Sequence, residues 1–95
     1  MFGKKKVELN DNERRIILNS LVNFRNDLIK QNRYTDAIDE VLPRIKSNLK
    51  VKKTELNVII NGLDYQRKVM IDANEDTNDM DYLLLKLLNF HKTFK

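Results

Sequence analysis

Ninety-five residues with a formal net charge of +4 bound this chain to one small domain. Two glycines, one proline and 34% charged residues favour helix over sheet. The lack of cysteine excludes disulfides and thiol chemistry, and the single histidine, His91, excludes a multi-histidine metal site.

The chain opens Met-Phe-Gly-Lys-Lys-Lys with no apolar stretch behind it, which does not read as a signal peptide. Phe2 stands where myristoylation needs glycine. The longest apolar runs, such as 82–85, are too short to span a bilayer, so a cytoplasmic location is expected.

The first predicted helix covers about 11–31. Asn10 followed three residues on by Glu13 reads as a capping box. Ile17, Leu21, Phe24 and Leu28 recur at helical spacing and form its apolar face. Asn32 suits a left-handed residue just past the helix end. Thr35 is placed as the cap of a second helix over 36–47, which buries Ile38, Val41, Leu42 and Ile45. Pro43 removes an amide inside it and crowds the carbonyl of Asp39, so this helix should kink or split.

A third helix is expected over 54–73, with Leu56, Ile59, Ile60, Leu63, Val69 and Met70 apolar. Gly62 in it suits close approach of a neighbouring helix, at a cost in helix propensity. Asn74 ends it and Thr77 starts a fourth helix over 78–93. The apolar residues of that helix, Met80, Leu83, Leu84, Leu85, Leu87 and Leu88, nearly encircle it, so it must be mostly buried or lie in a subunit interface. A homodimer closed through the fourth helix is one consequence.

Residues 7–46 align without a gap on residues 49–88, an offset of 42. Forty-two is six heptads, so apolar matches such as Ile17/Ile59 and Leu21/Leu63 follow partly from helical periodicity. The matches Asn19/Asn61, Arg25/Arg67, Asn32/Asn74, Thr35/Thr77 and Asp39/Asp81 do not, and they indicate a duplicated unit. A hairpin of this length cannot bury enough apolar surface alone. The expected architecture is therefore all-α: a single domain, 1–95, holding a four-helix bundle made of two tandem helical hairpins related by pseudo-two-fold symmetry.

In such a bundle both termini and the link between hairpins share one end. That end collects a candidate anion-binding pole of Lys4, Lys5, Lys6, Arg44, Lys46, Lys50, Lys52, Lys53, Lys92 and Lys95. Its functional reading is a nucleic acid or an acidic protein surface; the bland reading is a set of solvated lysines. No aromatic platform or glycine-rich phosphate loop accompanies it.

Arg25 and Asp39, and likewise Arg67 and Asp81, flank each turn at matching heights and should form structural ion pairs bridging each hairpin. Asn19 and Asn61 have no evident packing role. With Arg15, Asn23 and Asn26 around Asn19, these residues form a candidate partner-binding face, set against the plain alternative of drifted surface positions. Residues 72–83 place Asp72, Asn74, Asp76 and Asn78 at alternate positions, as in a calcium loop. Thr77 then stands where glycine is required and Leu83 where a bidentate glutamate is required, so helix capping is the better account. No catalytic constellation, cofactor motif or metal-ligand spacing is composed by these residues, and a non-enzyme is expected.

The opening Met-Phe-Gly-Lys-Lys-Lys, the following Leu-x-x-x-Glu, and Arg-Asn-x-Leu-Ile-x-x-x-Arg-Tyr-Thr-Asp-Ala-Ile-Asp-Glu-Val-Leu over 25–42 resemble short uncharacterised helical-hairpin proteins of Gram-positive bacteria, their phages and mobile elements. The resemblance covers residues 1–46 and extends weakly to the second copy. It implies a small accessory or counter-defence protein that acts by binding. The sequence thus points to a non-enzymatic protein-binding module, an inhibitor or adaptor. A nucleic-acid-associated protein using the basic pole and a homodimeric scaffold are the alternatives.

Overall fold

A computed structural model describes residues 3–45 and 48–94. The elements run in the order β1 (Lys5–Glu8), α1 (Asp11–Lys30), α2 (Asp36–Val41), a 3-10 turn (Leu42–Arg44), β2 (Asn48–Val51), α3 (Lys53–Asp72) and α4 (Asn78–His91). Four helices account for most of the chain. The all-α expectation is corrected by β1 and β2, which pair antiparallel with Val7 opposite Leu49 and Lys6 opposite Lys50. The segment that sequence reading treated as a link between hairpins is in fact the second strand. Its physical signal is a period of two: Val7 and Leu9, and Leu49 and Val51, are buried while Lys6, Glu8 and Lys50 face outward.

Strand, long helix and returning helix recur in the same order, and α1 and α3 start 42 positions apart, as do α2 and α4. The helix ends are built alike. Asn10 accepts from the Glu13 amide at 2.7 Å and Glu13 Oε1 accepts from the Asn10 amide at 3.0 Å, a complete capping box. Lys52 has no side-chain acceptor to offer, and only its own amide is taken up, by Glu55 Oε1 at 2.9 Å. Asn32 and Asn74 adopt φ of 56° and 58°. The amides of Arg33 and Glu75 reach back to the carbonyls of Leu28 and Met70, so both long helices end in a Schellman turn.

Thr35 and Thr77 occupy the caps of α2 and α4 but do not cap with their side chains. Each hydroxyl donates instead to an aspartate one turn on, Asp39 at 2.8 Å and Asp81 at 2.9 Å. The other oxygen of each carboxylate takes the guanidinium of Arg25 at 2.5 Å or Arg67 at 2.6 Å. The expected ion pairs across each hairpin are therefore present. Pro43 splits the first return into α2 and the 3-10 turn, whereas α4, with Leu85 at that position, runs unbroken to His91.

One core joins both halves: Ile17, Leu21, Ile38 and Val41 pack in the same buried cluster as Leu56, Ile59, Leu63, Leu83 and Leu87. The halves are also tied by contacts that swap under the 42-residue offset. Glu13 takes Lys86 at 2.8 Å, and Glu55 takes Arg44. Lys86 further donates to the Glu8 carbonyl at 2.7 Å, and Arg44 to the Lys50 carbonyl at 3.2 Å.

Candidate functional site

A polar cavity opens between α1 and the α3–α4 turn. Its volume is about 430 Å³. Asn12, Arg15, Ile16, Asn19 and Ser20 of α1 form one wall; Gln66 and Met70 of α3, Glu75 and Asp76 of the turn, and Asp79 and Met80 of α4 form the other. Arg15 is held by Asn12 Oδ1 at 2.6 Å, and Gln66 accepts from Asn23 at 3.1 Å. Asp76 caps the start of α4 through the Asn78 amide at 3.0 Å. Three carboxylates against one guanidinium leave the cavity net negative.

Ser20 sits in the lining at 1% exposure, and its hydroxyl has no hydrogen-bond partner among the described residues. A buried hydroxyl left unmatched costs about 1–3 kcal/mol. Such a group on a cavity wall is an opening for a ligand that can reach it.

A second, smaller cavity of about 130 Å³ lies on the other half. Its lining residues Phe24, Leu28, Tyr34, Ala37, Ile38, Val58 and Asn61 stand 42 positions from Gln66, Met70, Asp76, Asp79, Met80, Ile16 and Asn19. The two cavities are thus counterparts with different chemistry. In the small one the Phe24 ring lies against Tyr65 with centroids 5.1 Å apart. In the large one the corresponding pair is Gln66 with Asn23. Gly62, the counterpart of Ser20, lies against Leu21 and Phe24 with no room for a side chain.

Of the candidate partner face, Arg15 and Asn19 line the large cavity, Asn61 lines its counterpart, Asn23 holds Gln66, and Asn26 is exposed. These residues do not form one continuous face. Sequence reading missed Asn12, Ser20, Gln66, Glu75, Asp76 and Asp79 as a group. Their common signal is that most differ from their counterparts: Ser20 from Gly62, Gln66 from Phe24, Asp76 from Tyr34, Asp79 from Ala37.

Of the basic pole, Lys4, Lys6, Arg44 and Lys50 line a shallow concavity of about 410 Å³ against the outer face of the two strands. Lys5 turns aside to the Thr93 carbonyl at 2.6 Å and to the face of Phe94. Lys52, Lys53 and Lys92 are exposed, and Lys46 and Lys95 lie outside the described residues.

The shifted carboxylates lie outside the large cavity. Burial raises the pKa of Glu13, but Lys86 and the Asn10 amide outweigh it and hold the group below its ordinary value. Glu55 behaves likewise, with the Lys52 amide and Arg44 opposing burial. Asp39 and Asp81 are lowered by the hydrogen bonds from Arg25 and Arg67 and then by those from Thr35 and Thr77.

Among the described residues no three His, Cys, Asp or Glu side chains converge closely enough to hold a metal ion. No described helix is long and apolar enough to cross a membrane. On α4, Tyr82, Leu85 and Leu88 remain exposed along one side. Comparison with family models, with curated proteins and with solved structures finds no match.

Proposed function

We propose that this chain is a small non-enzymatic module that binds a protein partner at the cavity over Ser20. The observation that carries the reading is the contrast between the two counterpart cavities. On this reading the halves descend from one strand–helix–helix unit and are related by a pseudo-two-fold axis passing between Val7 and Leu49. The swapped pairs Glu13–Lys86 and Glu55–Arg44 support that relation. One cavity carries an aromatic plug and a glycine; the other carries a buried unmatched hydroxyl, an amide and carboxylates, at a cost to stability. An inhibitor or adaptor carried by a phage or mobile element is the cellular form suggested by the resemblance of residues 1–46.

Affinity capture from the producing cell tests the proposal. Wild-type bait recovers a protein that Asp79→Arg bait loses and Ala37→Arg bait retains. Equal recovery by all three baits contradicts it.

A second reading rests on Lys6 standing directly opposite Lys50. Like charges across a strand pair are destabilising unless an anion offsets them, and a two-stranded ribbon fits the major groove of duplex DNA. A gel shift at low salt decides it: retention that falls steeply with salt and is lost in Lys6→Glu/Lys50→Glu supports it, and no retention removes it. The exposed Tyr82, Leu85 and Leu88 support the homodimeric alternative, which sedimentation of the wild type against Leu85→Lys decides.

A further inference from the structure

We infer that the cavity over Ser20 takes an arginine side chain of the partner, a deduction that rests on the protein-binding reading above. The first ground is charge: Glu75, Asp76 and Asp79 outnumber Arg15 in the lining. Among the described residues, Glu75 and Asp79 side chains make no hydrogen bond or ion pair within the chain. The second is the spacing of the acceptors. The acidic groups do not converge on a point, so they do not suit a compact metal ion. A guanidinium spreads five N–H donors over a rigid plane and meets separated acceptors at once.

The third ground is the wall. Ile16, Met70 and Met80 give the lining apolar surface for three methylenes to pack on while the charged head meets the carboxylates. The fourth is the Ser20 hydroxyl. Ser20 lines the cavity, its hydroxyl is buried and lacks a partner among the described residues, and an N–H donor of the occupant supplies one. The counterpart cavity has none of these features: Gly62 has no hydroxyl, Ala37 and Tyr34 carry no charge, and the Phe24 ring occupies the position of Gln66.

Nuclear magnetic resonance titration with N-acetyl-arginine amide tests this directly, with N-acetyl-citrulline amide as the neutral control of the same shape. The expected result is saturable shifts at the amides of Ser20, Gln66 and Asp79 and none at Gly62, Phe24 and Ala37. Asp79→Asn weakens binding roughly tenfold, the size of one charge-assisted hydrogen bond. Ser20→Ala, which keeps the fold, weakens it as well. Spermidine run in parallel separates a side chain from a free polyamine; the inference expects it to bind no better than blocked arginine. Absent shifts, equal shifts in both cavities, citrulline binding as well as arginine, or tighter binding of spermidine each overturn the inference. If Asp79→Arg bait still loses the partner while blocked arginine fails to bind, the arginine assignment falls and the protein-binding module stands. If both fail, the module reading falls with it.

Discussion

Gly62 lies so close to Leu21 that a Cβ on the glycine would stand 2.6 Å from Leu21 Cδ2. Leu21 has no exposed surface, so it has nowhere to retreat without disturbing the core where α1 crosses α3. Gly62→Ala gains about 1 kcal/mol in helix propensity. It loses about 1–3 kcal/mol to overpacking, so a net fall in stability is expected. Thermal unfolding checks it; an unchanged or raised Tm would show that the helices part at no cost.

Ser20, the counterpart of Gly62, should respond in the opposite sense. Ser20→Ala removes a buried unmatched hydroxyl and improves helix propensity, so a gain of about 1–3 kcal/mol is expected. Denaturant unfolding measures it. A loss of stability would mean that the hydroxyl has a partner within the fold, and the cavity would lose its main sign of an incomplete site.

The pairs Arg25–Asp39 and Arg67–Asp81 bridge the two turns with the same geometry. Asp39→Asn and Asp81→Asn are each expected to lower the Tm, modestly because the pairs are partly solvated. A double-mutant cycle with Arg25→Gln should give a nonzero coupling energy. Coupling within error of zero would make the pair ornamental and leave its occurrence in both halves unexplained.

Four carboxylates have pKa values held below their ordinary 4.5 for Glu13 and Glu55 and 3.8 for Asp39 and Asp81. The unfolded chain therefore binds protons more readily than the folded one in this range, so stability rises with pH there. The contribution is complete above about pH 5 and is lost as the pH falls through the lowered folded-state values. Glu13→Gln/Glu55→Gln keeps acceptors for the helix N-termini but removes both charges that join the halves. Its stability should be lower at neutral pH and should fall less steeply in acid. A slope equal to that of the wild type would place the acid sensitivity elsewhere.

Much of the frame was legible because it rests on identities between the two halves of the sequence. Asn32 and Asn74 announced the left-handed turns, Glu13 the capping box, and Arg25 with Asp39 the ion pair. Pro43 announced the break after α2. The strands were missed because segments of only four residues, Lys-Lys-Val-Glu and Asn-Leu-Lys-Val, hold too few β-branched or aromatic side chains for a strong intrinsic β preference. They exist because Val7, Leu9, Leu49 and Val51 bury one face against the core. The cavity was missed for a different reason. Identity between the halves marks what holds the shape, whereas chemistry confined to one half is written in the positions that differ. Asn19 and Asn61 were singled out as an unexplained match. They line the two counterpart cavities, and it is their neighbours, Ser20 against Gly62 and Asp79 against Ala37, that give one cavity its chemistry.

Asn19 and Asn61 also provide the most direct measurement of where this molecule binds. A photoreactive benzophenone side chain placed at either position, in the cell that makes the protein, reports what touches each cavity. The account predicts a covalent adduct to a partner protein from position 19 and none from position 61. Adducts of equal yield from both positions, or from position 61 alone, would contradict it.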